Sequence, residues 1–475
     1  MQMFPPPMKK LLFFTLLTLL WILPPRALPA AEPRAPGPNV ILIFADDLGY
    51  GDIGPFGNTQ FKTPHLDRMA REGRKFTSFY ATPVCSMSRA CLLTGCYNVR
   101  VSVPGVLFPN SQKGLHPDEI TLAEVAKGRG YATACVGKWH LGHHDAYLPT
   151  RQGFDSYFGI PYSNDMTIDS KNARFSKECV FREGMSAETA RGTEIRHKVP
   201  LMRGEEIIEY PVDQDTLTQR YTKEAIEFIQ TNRDQPFFLY LPHSMVHQPL
   251  AASPAFRDHS GHGLFGDAVE ELDWSVGEIY KALKSADLDS KTLVIFTSDN
   301  GAASGSSLPW RGKKGSTYEG GVREPCIMRW PGHIPAGSEC AQIAGNIDVL
   351  PTLASLVGGD VPKDRILDGR DISPLLLEAN PQPVRDTHVY FNRASEAAAI
   401  RRGPWKLHML PPTPKGPKGG KAPANQEPEL YNLDDDPAES TNVALKHPDL
   451  VARLSEALRE RTEEIHKNRR GSNTP

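Results

Sequence analysis

Strong charge of either sign is missing from this sequence. Fifty-four Lys and Arg stand against 56 Asp and Glu, a formal net charge of −2 over 475 residues, which removes the electrostatic footprint of a nucleic-acid binder. An anionic ligand would have to be met by particular Lys, Arg and His side chains, not by a basic surface. A run long enough to span a membrane is missing too: the apolar stretch Leu11–Leu23 is too short for a typical spanning helix. It follows Lys9-Lys10 and precedes a Pro/Ala-rich stretch, the layout of a secretory signal peptide over 1–31. Cleavage is expected near Ala30 or Ala31, although no clean A-x-A box is present, and Met8 offers an alternative start. No cysteine lies between this run and the mature chain, so a lipid-anchored thiol is not expected. The protein reads as exported, either periplasmic or secreted, or held in a lysosome-like compartment in a eukaryote, with no stable membrane span. Cysteine is scarce. The seven residues Cys85, Cys91, Cys96, Cys135, Cys179, Cys326 and Cys340 are an odd number, leaving at least one thiol unpaired within a monomer. Internal repeats are absent.

What is present is an ordinary globular composition, 39% hydrophobic and 23% charged, sufficient for one large domain and a smaller one. Four short apolar runs read as buried strands, each ending in polar residues: "NVILIFADD", "GYATACVGKWH", "PFFLYLPHSMVHQP" and "KTLVIFTSDN". Helical patterns fall between them at 216–230, 267–283 and 348–357. This alternation predicts an α/β fold, a large, mostly parallel mixed sheet flanked by helices over 36–380. Ligands of such sheets bind beyond the carboxyl ends of the strands, so the four polar clusters should meet. Residues 381–467 read as a small α+β C-terminal subdomain with a short antiparallel sheet and a final helix. "PPTPKGPKGGKAPANQEP" reads as a surface loop and 468–475 as a disordered tail.

Asp46-Asp47 at one strand end and Asp299-Asn300 at another supply hard oxygen ligands, suited to Ca²⁺ or, less well, Mg²⁺, and not to zinc. Each pair alone would serve equally as a cap or turn; the two together favour a cation. Cys85 opens "CSMSRACLLTG", which reads as a helix ending at Gly95. Its N-terminus is a place of positive potential, and Arg89, one turn in, shares a face with Cys85. A disulfide from Cys85 to Cys91 or Cys96 is the structural alternative.

"VCSMSRACLLTG", "GYATACVGKWHLG", "ADDLGYGD", "SDNG", "KKGSTYEGGVREP", "WPGHIPAG" and "IDVLPTLA" together resemble, in order, the signatures of the type I sulfatases of the alkaline-phosphatase-like superfamily. The likeness extends to "ELYNLDDDPAE" and leans toward arylsulfatase A-like members. The resemblance implies that Cys85 is oxidised to Cα-formylglycine by a formylglycine-generating enzyme, its hydrate acting as metal ligand and nucleophile. It further implies Asp46, Asp47, Asp299 and Asn300 as calcium ligands, with Arg89 and Lys138 balancing charge. His140 would take a proton from the hydrate, and Lys138, His247, Lys314 and Ser163 would contact the sulfate, His247 protonating the leaving oxygen. His243 and Lys313 are rivals for His247 and Lys314; His143 and His144 read as solvated loop neighbours. Where the family has proline the chain has Met87, which bears on the efficiency of the oxidation and not on the fold. The implied substrate is a sulfated carbohydrate or aryl sulfate. The competing readings are a phosphodiesterase or phosphonate monoester hydrolase built on the same apparatus, disfavoured by the single calcium and two lysines, and a non-catalytic binding protein in which Cys85 stays a thiol.

Overall fold

Alternation along the first apolar run dictates the architecture. In the strand Asn39–Ala45, Val40, Leu42 and Phe44 join one hydrophobic core while Ile41, Ile43 and Ala45 join another, because successive side chains leave a strand on opposite faces. A strand apolar on both faces belongs inside a sheet covered on both sides. The computed structural model describes residues 1–4, 37–192, 195–412 and 427–471. Most of the expected signal peptide, the lysine-rich loop from 413 to 426 and the end of the tail lie outside the described residues. The chain divides into Met1–Ala35 and Pro36–Pro475, and the second unit carries everything below.

Five central strands run parallel in the order Thr292–Ser298, Asn39–Ala45, Phe237–Pro242, Ala132–Val136 and Ser156–Gly159. They sit within a 12-stranded mixed sheet, in which Arg323–Arg329 and Leu201–Arg203 flank the five antiparallel to their neighbours. One face is covered by the helices Leu217–Thr231 and Gly263–Ser285, through side chains such as Tyr221, Ala225, Val269 and Leu272. The other is covered by Cys85–Thr94, Leu122–Lys127 and Val349–Val357, through Leu92, Leu93, Leu122, Leu350 and Leu353. Leu217–Thr231, Gly263–Ser285 and Val349–Val357 fall where the periodicity predicts helices, whereas Leu122–Lys127 is not predicted by it. Register fixes the site: Ala45 lies opposite Ser298 and Phe44 opposite Pro242, so Asp46, Asp299 and His243 leave the sheet at one edge.

The C-terminal region forms a four-stranded antiparallel sheet, Thr387–Phe391, Ala397–Arg402, Trp405–His408 and Glu429–Asn432, covered by the helix Pro448–Lys467. Val389, Ile400, Leu407, Leu454 and Leu458 share one cluster with Val84, Met87 and Cys91 of the Cys85 helix, so this sheet packs directly against that helix. A buried ion network adds to the contact. Lys406 Nζ donates to Glu319 at 2.7 Å and to the Thr317 carbonyl at 2.8 Å, and lies 3.2 Å from Glu439. Glu319 also accepts from Arg323 at 2.9 Å and from the Tyr80 hydroxyl at 2.7 Å. The expected disorder of 468–475 is corrected for its first residues. Arg470 donates its N–H to the Arg100 carbonyl at 2.7 Å and its guanidinium to buried Glu119 at 2.9 Å, because a buried carboxylate without a lysine or arginine beside it is costly.

Removing Lys406 leaves Glu319 and Glu439 short of a counter-charge. Lys406→Ala should therefore lower unfolding free energy by about 3–5 kcal/mol, measured by urea denaturation, and pairing Lys406→Met with Glu319→Gln should recover part of that loss.

Candidate active site

The polar strand ends do converge. Asp46 and Asp47 follow the central strand, and the Asp47 N–H donates to Asp299 Oδ1 at 3.1 Å across the sheet edge. Asn300 Nδ2 donates to Asp47 Oδ1 at 2.7 Å. Arg89, one turn into the Cys85 helix, donates Nη2 to Asp299 Oδ2 at 2.9 Å and Nη1 to the Lys138 carbonyl at 2.8 Å. Lys138 reaches Asp46 and donates to Ser163 Oγ at 3.1 Å. It is aimed by Gly137, whose φ of +136° and closeness to the Pro242 carbonyl admit no Cβ. Lys314 Nζ arrives from a loop and lies 2.6 Å from Asp47 Oδ1. Asp47 and His140 both hold left-handed backbone, φ +62° and +58°, a strained conformation for non-glycine residues that concentrates at functional sites.

Electrostatics divides the carboxylates. Burial would raise Asp46, yet Lys138, His247 and Arg89 hold it far below the usual carboxylate range. Asp299 goes the other way, pushed up to about 7 by burial and by the charge of Asp46, with Arg89 opposing. Arg89 itself is held more firmly protonated against the cost of burial, through Tyr240, Asp299 and Asp46. Two fully buried oxygens, Asp46 Oδ1 and Asn300 Oδ1, have no hydrogen-bond partner. Oxygen ligands with lone pairs unspent, among carboxylates that cannot all ionise freely, fit a hard divalent cation. Asp46, Asp47 and His247 place ligand atoms within 4.8 Å of one another.

Cys85 begins its helix and is 2% exposed. It is a free cysteine, as are the other six, so the disulfide alternative is not realised. Burial pushes its thiol up, against the pull of Lys138 and Lys314, so an unmodified thiol here would be a poor thiolate nucleophile. Met87, two residues on, is wholly buried against the C-terminal sheet. Its N–H lies in the first helical turn, where no i−4 carbonyl is available, the next residue being the first to bond back, Ser88 to Val84 at 3.1 Å. A proline at 87 would therefore cost no helical hydrogen bond.

The histidines separate by environment. His140 Nε2 lies 3.0 Å from the Leu107 carbonyl and must donate there, leaving buried Nδ1 as an unpartnered acceptor. Burial, Lys138 and Arg89 hold this ring well below the ordinary histidine range, hence neutral. His247 donates Nδ1 to the Gln248 carbonyl at 2.5 Å, and its Nε2 lies 3.7 Å from Asp47 and 3.4 Å from Ser163 Oγ. Burial, then Lys138, lower its pKa. His243 is instead a core residue, 3.4 Å from Ser275 Oγ and pushed down to about 3 by burial. Lys313 turns away to the Gly305 carbonyl at 2.9 Å. His143 and His144 are half-buried, not solvated as expected, since His143 Nε2 donates to Asp169 at 2.8 Å. Glu324 was not legible in the sequence as a site neighbour. It is fully buried with both carboxyl oxygens unpartnered, and burial, Asp299 and Asp47 raise its pKa well above normal.

A buried cluster of oxygen ligands, two lysines and an arginine at the carboxyl edge of a mixed sheet is the arrangement of an enzyme acting on an anionic ester, and comparison with known proteins specifies which. Residues 38–359 match the family model described as Sulfatase, and 384–474 match the C-terminal region of aryl-sulfatase. The chain belongs to the sulfatase family and is a sulfuric ester hydrolase. Within it the chain is similar to arylsulfatase A of Homo sapiens, 39% identical over 441 residues covering 88% of this chain and 85% of the relative. It is also similar to N-acetylgalactosamine-6-sulfatase of Mus musculus, 38% identical, with 82% and 75% covered. Among solved structures, the PsFucS1 sulfatase of Pseudoalteromonas sp. superposes with a TM-score of 0.79 at 27% identity, covering 92% of each chain. A Bacteroides thetaiotaomicron protein of glycosaminoglycan metabolism superposes with 0.74 at 30% identity, covering 90% and 99%. Type I and arylsulfatase A-like is therefore the correct placement.

Because His243 is neutral when folded and protonates on unfolding, it contributes stability that is present above its unfolded pKa and lost as pH falls below it. His243→Gln should shrink the stability lost between about pH 7.5 and about pH 5 by roughly 2 kcal/mol, read from urea midpoints at the two values.

Proposed function

We propose that the protein is an exported, calcium-dependent sulfatase that removes sulfate from a sulfated carbohydrate, using formylglycine made from Cys85. The observation that carries this reading is the free, buried, unactivated Cys85 at a helix N-terminus among Lys138, Lys314, Asp46 and Asp299, beside two buried oxygens with no partner. Glycan sulfatase and glycosaminoglycan names among the relatives support the substrate class.

Asp46, Asp47, Asp299 and Asn300 would hold the cation, which when bound polarises the sulfate oxygens. Formylglycine would supply a hydrated aldehyde as nucleophile in place of a poorly ionised thiol. Lys314, Lys138 and Ser163 receive the sulfate and orient it toward Cys85; the two ammonium groups neutralise charge as it builds on the ester. His140 is a fixed neutral base, its tautomer set by Leu107, that accepts a proton at Nδ1. His247, its Nδ1 hydrogen committed to the Gln248 carbonyl, delivers a proton from Nε2 to the leaving oxygen. Arg89 favours the ionised form of Asp299, opposing the rise that burial and Asp46 impose on it.

Modification and activity measurements test this. The tryptic peptide Phe76–Arg89, from protein made in a host with the oxidising enzyme, should carry an aldehyde in place of the Cys85 thiol by mass spectrometry. Cys85→Ala should abolish release of sulfate, and Met87→Pro should raise the converted fraction; a uniformly intact thiol in both proteins would overturn the reading. A proton donor must be protonated, so kcat/KM should fall as pH rises through the lowered pKa of His247, giving an acidic optimum. His247→Ala should cost about 10²–10⁴ in kcat on a sugar sulfate and far less on p-nitrophenyl sulfate, whose leaving group needs no proton.

A further inference from the structure

Outside the carboxylate site, a second set of ligand atoms meets on the loops that lead to His140 and Ser163. His143, His144 and Asp169 each offer an atom within 4.8 Å of the others. His143 Nε2 is 2.8 Å from Asp169 Oδ2, and the two imidazole rings are 4.3 Å apart. All three side chains are half-buried.

The surrounding hydrogen bonds orient the three side chains and leave His144 Nδ1 open. His144 Nε2 lies 3.2 Å from the Ser111 carbonyl and must donate to it, which leaves Nδ1 with a lone pair. Metal-ligating histidines are oriented in this way, the second nitrogen donating to a carbonyl. Asp169 Oδ1 accepts the Lys171 N–H at 3.2 Å, Oδ2 accepts Asn172 Nδ2 at 2.8 Å, and the Asp169 N–H donates to the Tyr162 hydroxyl at 3.0 Å. Lys171, Asn172 and His143 thus hold the carboxylate, and Tyr162 holds its backbone. His143, Tyr162, Asp169 and Asn172 also line a pocket, giving an open side where water can complete coordination.

We propose that His143, His144 and Asp169 form a second metal site, for a divalent transition-metal ion such as Zn²⁺. Two imidazoles and one carboxylate suit zinc and its neighbours, whereas calcium prefers the all-oxygen set at the strand ends. When the ion takes the Nε2 lone pair of His143, the proton that Nε2 donates to Asp169 moves to Nδ1 of the same ring, so the imidazole stays neutral and the Asp169 oxygen is freed to ligate. Nitrogen and oxygen then sit about 2.0–2.2 Å from the metal, so the pair need separate by only about half an ångström. His143 lies three residues after His140, and Tyr162 directly precedes Ser163, so the ion would tie together two segments that carry active-site groups. The inference stands independently of sulfatase activity.

The test uses full-length protein saturated with Ca²⁺, to which Co²⁺ and then Zn²⁺ are added. One equivalent of Co²⁺ should give visible d–d absorption of a low-coordinate N/O site, and Zn²⁺ should abolish it stoichiometrically. His144→Gln and Asp169→Asn should each weaken the Zn²⁺ affinity, read by calorimetry, at least about 10–100-fold while melting transitions confirm folding. Should either variant fail to fold, the other and His143→Gln decide by the same spectrum. No Co²⁺ signal, or an equal signal in the folded variants, would overturn the proposal and leave a structural His–Asp pair.

Discussion

Like charges crowded out of water set the problem that this structure solves. Asp46, Asp47 and Asp299 leave adjacent strands at one level, all buried, and their mutual repulsion has no solvent to weaken it. The solution is asymmetric. Lys138 and Arg89 hold Asp46 ionised, while Asp299 bears the strain of its neighbours. Each counter-charge comes from a different part of the chain: Arg89 from a helix, Lys138 from the end of the strand Ala132–Val136, Lys314 from a loop more than 260 residues from Asp47. The same field that makes the site costly is the one the proposed cation and anionic ester would use, so the energetic burden and the proposed chemistry share a source.

The C-terminal sheet belongs to this solution. Lys314 lies just before a segment whose Thr317 carbonyl and Glu319 carboxylate are gripped by Lys406, and the Glu319 N–H donates to Glu439 at 2.6 Å. Leu407, Val389 and Leu454 meanwhile pack on the helix that presents Cys85. The small sheet thus bears on both the lysine and the cysteine.

Much of this was legible in the sequence, for identifiable reasons. Central strands buried on both faces are continuous apolar runs, and Asp46-Asp47, Lys138, His140 and Asp299-Asn300 stand just beyond them. Lys314 over Lys313 and His247 over His243 were distinguishable through resemblance to a family and not through spacing, since neighbouring lysines or nearby histidines look alike until a backbone turns one inward. The left-handed φ of Asp47 and His140 leaves no compositional trace. The burial of His143, the environment of Glu324 and the anchoring of Arg470 depend on neighbours 25 to hundreds of residues distant, which periodicity within one segment does not report. Cysteine count left pairing open, and geometry closed it.

The burial of Met87 has a temporal meaning. The short motif around Cys85 that an oxidising enzyme would read is exposed while the chain is unfolded, and becomes walled in once Val389 and Leu454 close over it. The conversion proposed for Cys85 then runs against a clock set by folding itself. If methionine in place of the family's proline slows that recognition, a condition that hastens folding would yield more protein but a smaller converted fraction. Two preparations of one sequence, identical in fold and purity, would differ in specific activity according to how quickly they were made.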